Sequence, residues 1–297
     1  MEQRKFGNTG LAVSRLTFGC GAVGGLMTKG DARDQDRAIG WARDHGINFF
    51  DTAASYGNGV SEENLGRALN GNSDGLVIST KVGLSNNDLS DVYGAITRSL
   101  DASLARLRLE HVDIFQLHNT LGRTDFRGTL TIDQIMDAVV PAFDKLRDTG
   151  KARFLGFTAK GEADDVHKLV SCGVFASAQV FYNLLVPSAG EPIDANYPSD
   201  DYKLLLKTAK DHGVGAIGVR VLAGGALSGS AARHPLGMSN VTPIGSTTDY
   251  ATDVKRGLAF MPLVEAGHAG SLIELAIRYV ISNSALPSTE IATATLE

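Results

Sequence analysis

Several things are scarce in this sequence, and each scarcity excludes something. Only two cysteines occur among the 297 residues, Cys20 and Cys172, far apart and without metal spacing. That leaves neither a disulfide framework nor a zinc site, and it suits a reducing, cytoplasmic compartment. No H-E-x-x-H segment is present, and His111 and His118 fall on opposite faces of one strand-like run. No metal is therefore expected. No apolar run approaches the roughly 18 residues of a membrane span. The opening Met1-Glu2-Gln3-Arg4-Lys5 leads into no apolar segment, so no secretory leader is expected either. Long blocks of one charge are missing, the net charge is −5 and the pI is near 5.8. That balance argues against a nucleic-acid or acidic-membrane partner. The eight prolines leave most of the chain unbroken.

What is present is a rhythm. The composition, 43% hydrophobic, and the length fit either two domains or one α/β barrel, which takes about 250 residues. Strand-like runs cover Leu16–Cys20, Ile47–Phe50, Leu76–Thr80, Val112–Leu117, Phe154–Phe157, Ala178–Phe181, Val214–Val221 and Thr289–Ala292. Helical stretches lie between them. Asp31 is expected to cap a helix to His45 that turns Ile39, Trp41 and Ala42 inward. Ser61 is expected to cap the next helix, with Glu62 and Glu63 at its positive end. Val92, Ile96, Leu100, Leu104 and Leu107 recur at helical spacing. Ile132 to Leu146 carries another apolar stripe, closed by Gly150, and a last helix spans about Ser271 to Ile281. Eight alternations without a linker predict one (β/α)8 barrel over residues 1–297, with long loops after strands six and seven. These loops, Leu185 to Asp200 with three prolines and Leu222 to Thr248 rich in Gly and Ser, are expected over the carboxyl face as binding loops.

In a parallel barrel the carboxyl ends of the strands converge on one face. Asp51, Tyr56, Lys81 and His118 all stand at or just past such ends, so they are expected in one pocket. Hydride transfer to a carbonyl builds negative charge on its oxygen, which needs a proton or strong hydrogen bonds. A phenol of pKa about 10 is a poor acid near neutrality without a neighbouring cation. Lys81 is expected to lower the Tyr56 pKa, Asp51 to hold Lys81, and His118 to orient the carbonyl. Taken singly, an Asp–Lys pair at a strand end is more often structural, and a lone Tyr or His more often packing. The joint pattern favours chemistry.

Asp51-Thr52-Ala53-Ala54-Ser55-Tyr56-Gly57, Ser79-Thr80-Lys81-Val82-Gly83 and Gln116-Leu117-His118-Asn119 resemble the three signature segments of the aldo-keto reductases. The likeness extends from Arg4-Lys5-Phe6-Gly7-Asn8-Thr9-Gly10-Leu11 to strand eight. It implies a barrel that binds NADP or NAD, with NADPH favoured, and Tyr56 as general acid/base supported by Asp51, Lys81 and His118. It implies Asn119 beside the substrate with Tyr56 and His118. Thr158 and Gln179 match the positions that hold the nicotinamide carboxamide, and Gly19, Cys20, Asp51, Leu222 and Gly224 are further expected contacts. The implied activity interconverts an aldehyde, ketone or sugar with an alcohol. A non-catalytic NADP-binding regulatory or scaffold subunit is the alternative. The expected partner is a small carbonyl or alcohol, and the expected assembly a monomer or small homo-oligomer.

The sequence departs from the family in three places. Thr158-Ala159 stands where Ser-Asn is usual. Val219-Arg220 stands where a Tyr usually stacks on the nicotinamide, so Arg220 either stacks, reaches a phosphate or joins a barrel ion pair. The sequence ends at Glu297, before the turn and helix that grip the adenosine phosphate in the family, so the expectation is either a truncated chain or an incomplete cofactor grip. A competing pattern also exists. Gly19-Cys20-Gly21-Ala22-Val23-Gly24 matches G-x-G-x-x-G, with Asp51 ending the next strand as a ribose-binding acid does in a dinucleotide-binding βαβ unit. That reading gives Tyr56, Lys81 and His118 no reason to align.

Overall fold

The computed structural model describes residues 1–122 and 128–295. Eight parallel strands close on themselves in sequence order: β1 (Leu16–Gly19), β2 (Phe49–Asp51), β3 (Val77–Val82), β4 (Val112–Leu117), β5 (Ala152–Ala159), β6 (Ser177–Phe181), β7 (Gly215–Val219) and β8 (Ser288–Ala292). Closure pairs β8 with β1, Thr289 opposite Leu16 and Ala292 opposite Gly19. Strands β3 and β4 are buried along their whole length, as strands covered on both faces must be.

The helical layer follows the apolar spacing. Helix α1 (Ala32–Asp44) is capped by Asp31, whose side chain accepts from Arg33 N at 2.8 Å. Helix α2 spans Val60–Leu69, and α3 (Val92–Leu107) buries Val92, Ile96, Leu100, Leu104 and Leu107. After a short helical start at Ile132–Gln134 and a π turn over Ile135–Val139, α4 (Val140–Arg147) sends Phe143 against Phe115 of β4, ring centroids 5.6 Å apart. Then come α5 (Ala163–Ser171), α6 (Leu205–Asp211), α7 (Tyr250–Leu258) and α8 (Leu272–Ser282). Periodicity alone did not reveal α5, α6 or α7. Trp41, expected inside, is 53% exposed and stacks on His45.

The floor of the barrel is closed by an element that precedes the first barrel strand. Gln3–Lys5 and Ala12–Ser14 pair as an antiparallel hairpin ahead of β1. Phe6, in its turn, is fully buried and meets Phe49 edge-on at 5.7 Å. A Cβ on Gly215 would lie 2.6 Å from the Phe6 ring, so glycine there makes room for the plug. The amino-terminal mouth is thereby packed, and only the carboxyl face stays open.

Helix α2 corrects one expectation and extends another. Its N-cap is Gly59, at φ +94, and not Ser61. Ser61 is buried, its hydroxyl donating to Cys20 O at 2.9 Å and sharing a hydrogen bond with Thr52 Oγ1 at 2.9 Å. Glu63 and Glu62 both stand in the first turn, as expected, but Glu62 also has a structural role. It is fully buried, accepts from Thr80 Oγ1 at 2.5 Å, and pairs with Arg106 of α3 at 2.6 Å. The reason is tertiary: α2 and α3 pack side by side, and the partner guanidinium comes from far along the chain. The two long loops also part company. Leu222–Thr248 overlies the carboxyl face, whereas Leu185–Asp200 lines no part of the cavity there. That segment is pinned beside the barrel, with Ser188 Oγ donating to Asp200 O at 2.7 Å.

Replacing Arg106 with Met should leave the Glu62 carboxylate buried without a countercharge and lower stability by about 2–3 kcal/mol. Urea unfolding of Arg106→Met and of the double variant Glu62→Gln/Arg106→Met would check it. The double variant should recover part of the loss, and a loss below about 0.5 kcal/mol in the single variant would make the pair no stronger than a surface one.

Candidate active site

Asp51 ends β2 on the barrel axis, and its carboxylate has no exposure to solvent. It accepts from Ser79 Oγ, from Lys81 Nζ and, at 3.1 Å, from Gln116 Nε2. Lys81 lies within β3, where the strand register sets it beside Gln116 of β4. Its ammonium also donates to Thr52 O at 2.8 Å and to the Tyr56 hydroxyl at 3.3 Å. Tyr56 rises from the turn after β2, held by Tyr56 N donating to Ala53 O at 3.1 Å. His118 continues β4, its backbone N donating to Val82 O at 2.8 Å. Its ring meets Tyr56 edge-on at 5.7 Å, and Nδ1 lies 3.4 Å from Ser55 Oγ. The four residues expected to share a pocket are thus joined in one network.

The electrostatics differ from expectation at Tyr56. Burial would strip Lys81 of its proton, but Asp51, Tyr56 and Glu290 outweigh burial and hold its pKa above the ordinary value. Lys81 was expected to lower the Tyr56 pKa. It does lower it, but burial outweighs that effect, and with Glu290 and Asp51 adding negative charge the phenol is pushed up to about 12. In the ligand-free site Tyr56 therefore keeps its proton firmly. Burial, then Lys81 and Lys160, bring His118 down to about 3, so its imidazole is neutral at physiological pH.

Above these residues opens a cavity of about 620 Å³. Tyr56, His118, Thr158, Gln179, Arg220, Leu222 and Gly224 border it. Thr158 Oγ1 donates to Gln179 Oε1 at 3.4 Å, the two facing each other across β5 and β6. Arg220 sits just past β7 at φ +58. Among the described residues its guanidinium has no hydrogen-bond or ion-pair partner, so the ion-pair reading has no partner there. A Cβ on Gly224 would lie 3.0 Å from Arg220 Nη1, so the arginine lies close over that glycine.

Four expected contacts fall elsewhere, one of them Asp51, which is buried against Lys81 and does not border the cavity. Gly19 and Cys20 do not border the cavity. Gly19 is roofed by Glu290, whose Oε1 would be 2.7 Å from a Cβ there. Cys20 is fully buried, and burial raises its thiol pKa well above normal. Asn119 is 3% exposed, and its amide clamps Leu84 N and Leu84 O, each at 2.8 Å, and Gly128 O at 3.1 Å. It braces the loop after β3 and does not border the cavity. The glycine pattern after β1 has a steric cause. A Cβ on Gly24 would lie 2.5 Å from Thr293 O, and the helix that follows, Leu26–Lys29, is a single turn. A serine-nucleophile pattern, Gly71-Asn72-Ser73-Asp74-Gly75, lies between α2 and β3, at the opposite end of the barrel from this site.

Among the cavity residues that were missed, Lys160 and Glu290 carry ionisable groups next to the site. Lys160 lies two positions past Thr158, also without a partner among the described residues. Glu290 of β8 accepts from Gln179 Nε2 at 3.1 Å and faces Asp51. The alternation Ser288, Glu290 was its available signal, since parity turns both to the same side.

Residues 15–293 match the sequence profile of the Aldo/keto reductase family. The chain belongs to this family. Among similar proteins, L-galactose dehydrogenase of Arabidopsis thaliana is 37% identical over 162 residues, 53% of this chain and 48% of the relative. A probable voltage-gated potassium channel subunit beta of the same plant is 35% identical over 136 residues, 44% of this chain and 41% of the relative. The chain spans about half the length of these curated relatives. The uncharacterized oxidoreductase YrpG of Bacillus subtilis is 30% identical over 80% of this chain and 71% of its own. Two solved structures share the fold at TM-score 0.70: an aldo-keto reductase from Bacillus halodurans in holo form and a glycerol dehydrogenase from Gluconobacter oxydans. The first is 23% identical, covering 100% of this chain and 87% of its own, and the second 24%, covering 99% and 86%.

A His118 pKa near 3 has a consequence for acid stability. The unfolded chain takes up a proton at His118 below about pH 6.5 and the folded chain does not, so folding weakens as pH falls from 6.5 towards 3. Thermal melts at pH 7 and pH 5 should show a smaller acid loss for His118→Gln than for the wild type. Equal losses, or a histidine ¹⁵N shift that titrates near pH 6.5, would mean that the imidazole is ordinarily protonated.

Proposed function

We propose that the chain is an NAD(P)-dependent oxidoreductase interconverting a carbonyl and an alcohol, with Tyr56 as general acid/base. The observation that carries this reading is the Tyr56 hydroxyl on the cavity floor, 3.3 Å from a fully buried Lys81 ammonium. A nicotinamide dinucleotide, when bound, supplies or accepts the hydride. The residues present suit such a group. Thr158 and Gln179 offer a paired donor and acceptor for a carboxamide, and Lys160 and Arg220 offer two unpartnered cations for phosphates. NADP and NAD are both compatible with that set. A solved aldo/keto reductase from Klebsiella pneumoniae is in complex with NADP and acetate.

In reduction Tyr56 gives its proton to the carbonyl oxygen, and Lys81 stabilises the phenolate left behind. Asp51 keeps Lys81 charged and aimed. In the tautomer that carries its proton on Nε2, the neutral His118 accepts from Ser55 at Nδ1 and donates a hydrogen bond to the same oxygen. In oxidation the same groups run in reverse. The two unpaired cysteines fit a reducing cytoplasm, and no helix among the described residues is long and apolar enough to cross a membrane. A non-catalytic NADP-binding subunit is the second reading, favoured by the potassium-channel beta relative. It gives no use to the Tyr56–Lys81 contact.

Tyr56→Phe should lower kcat/KM for NADPH-dependent reduction of a reactive aldehyde such as 4-nitrobenzaldehyde by about 10²–10⁴-fold. Cofactor Kd, from nicotinamide fluorescence, should stay within about threefold. A variant as active as the wild type removes Tyr56 from the chemistry, and a wild type that binds cofactor without turnover supports the subunit reading. Arg220→Ala should weaken NADPH binding about tenfold, the value of one charged hydrogen bond to phosphate. An unchanged Kd would exclude Arg220 from the cofactor site.

A further inference from the structure

The mechanism leaves one carboxyl unused. Glu290 projects from β8 into the cavity. It accepts from Gln179 Nε2 at 3.1 Å and roofs Gly19, where any side chain would displace it. The charged and titratable groups facing it come from several sides. Cys20 follows β1, Asp51 ends β2, Tyr56 rises from the next turn, Lys81 lies in β3 and Arg220 follows β7. Gln179 of β6 faces it without charge. Asp51 is committed to Lys81, so a second carboxylate here would stand against it with its own countercharge already taken. Burial and Asp51 accordingly raise the Glu290 pKa to about 8, and the group is mostly neutral at pH 7.

We propose that Glu290 is a positioning residue that couples cofactor redox state to a proton: it holds Gln179, releases its proton when an oxidised nicotinamide ring binds, and keeps it when the ring is reduced. The inference rests on the nicotinamide reading of the cavity. The physical argument is charge. The hydride acceptor must lie near Tyr56, and Tyr56 and Glu290 border the same cavity. The oxidised ring is cationic and the reduced ring neutral. A cation in that space stabilises the Glu290 carboxylate, and the reduced ring offers no such gain. By linkage, a ligand that favours the deprotonated form releases protons on binding and binds more tightly as pH rises. The site would then favour the oxidised cofactor increasingly on the alkaline side.

The test is calorimetric titration of the wild-type chain with the oxidised and reduced forms of NADP and of NAD, in buffers of different ionisation enthalpy at pH 7.5. The phosphates are common to both redox forms, so the difference in protons released isolates the ring. The oxidised form should release roughly half a proton more than the reduced form. The ratio of their affinities should rise by up to about tenfold between pH 6.5 and 8.5. Glu290→Gln keeps an oxygen to accept from Gln179 but has no proton to lose, so it should bind both forms with equal proton counts and a flat ratio. Equal counts in the wild type, or a difference that survives in Glu290→Gln and so belongs to Tyr56, would overturn the proposal. Should that variant fail to fold, a wild-type affinity ratio that stays flat with pH overturns it equally. Failure of every cofactor form to bind overturns the nicotinamide reading and this inference with it, whereas binding without a differential proton count removes only the role of Glu290.

Discussion

Two opposite charges placed out of reach of water govern this barrel. Taking a carboxylate and an ammonium out of solvent costs several kcal/mol per ion, and their attraction offsets that only if the remaining protons and lone pairs are also satisfied. At Asp51 and Lys81 they are. Ser79 and Gln116 serve the carboxylate, and Thr52 O and the Tyr56 hydroxyl serve the ammonium. Each partner comes from a strand or turn at the carboxyl face, so the pair exists only when β2, β3 and β4 are in register. The same pair then sets the protonation of its surroundings. A cation beside His118 helps keep that ring neutral, and an anion beside Glu290 helps keep that carboxyl protonated.

The sum of these effects is a site with one negative charge, one positive charge and three neutral acids or bases around them. Such a site has protons to give, in Tyr56 and Glu290, and little net field of its own on the axis. Net positive charge lies farther out, at Lys160 and Arg220. The arrangement separates two tasks. The rim carries the positive side chains, and the floor carries the proton donors.

The strands and the tetrad were legible in sequence because both depend on local signals. An apolar run ending in a polar residue marks a strand end, and the barrel rule then gathers those ends. Val112–Leu117 has the bounds expected of it, and Asp51, Tyr56, Lys81 and His118 meet as expected. What escaped depends on partners distant in sequence. Glu62 stands in the first turn of α2 as expected, but its pairing with Arg106 was not visible, and Asn119 looked substrate-facing because the loop it clamps was not. Gly19 is cut off from the cavity by a residue at the far end of the chain, Glu290, which only barrel closure brings over it. Tyr56 was found but its acidity was misjudged. Proximity to Lys81 can be read from motifs, whereas the depth of burial that outweighs it cannot.

The upper layer of this barrel is polar where such interiors are usually filled with branched aliphatic side chains. Asp51, Ser79, Lys81, Gln116 and Gln179 are all buried, with Ser177 below them at the start of β6. That has a packing cost as well as an electrostatic one: Gln116 Oε1 and Ser177 Oγ have no hydrogen-bond partner among the described residues. Gly156 lies between them, and a Cβ there would sit 3.0 Å from both Gln116 Cγ and Ser177 Cβ, so the layer holds its amide only by giving up a side chain on β5. A chemical floor built this way contributes little apolar burial. The compensating core lies below and outside it, in Phe6 against Phe49 at the plugged mouth and in Phe115, Phe143, Phe157 and Phe175 between strands and helices. Stability and chemistry are thus assigned to opposite ends of the same strands, which is why the amino-terminal mouth must be closed for the carboxyl face to remain polar and open.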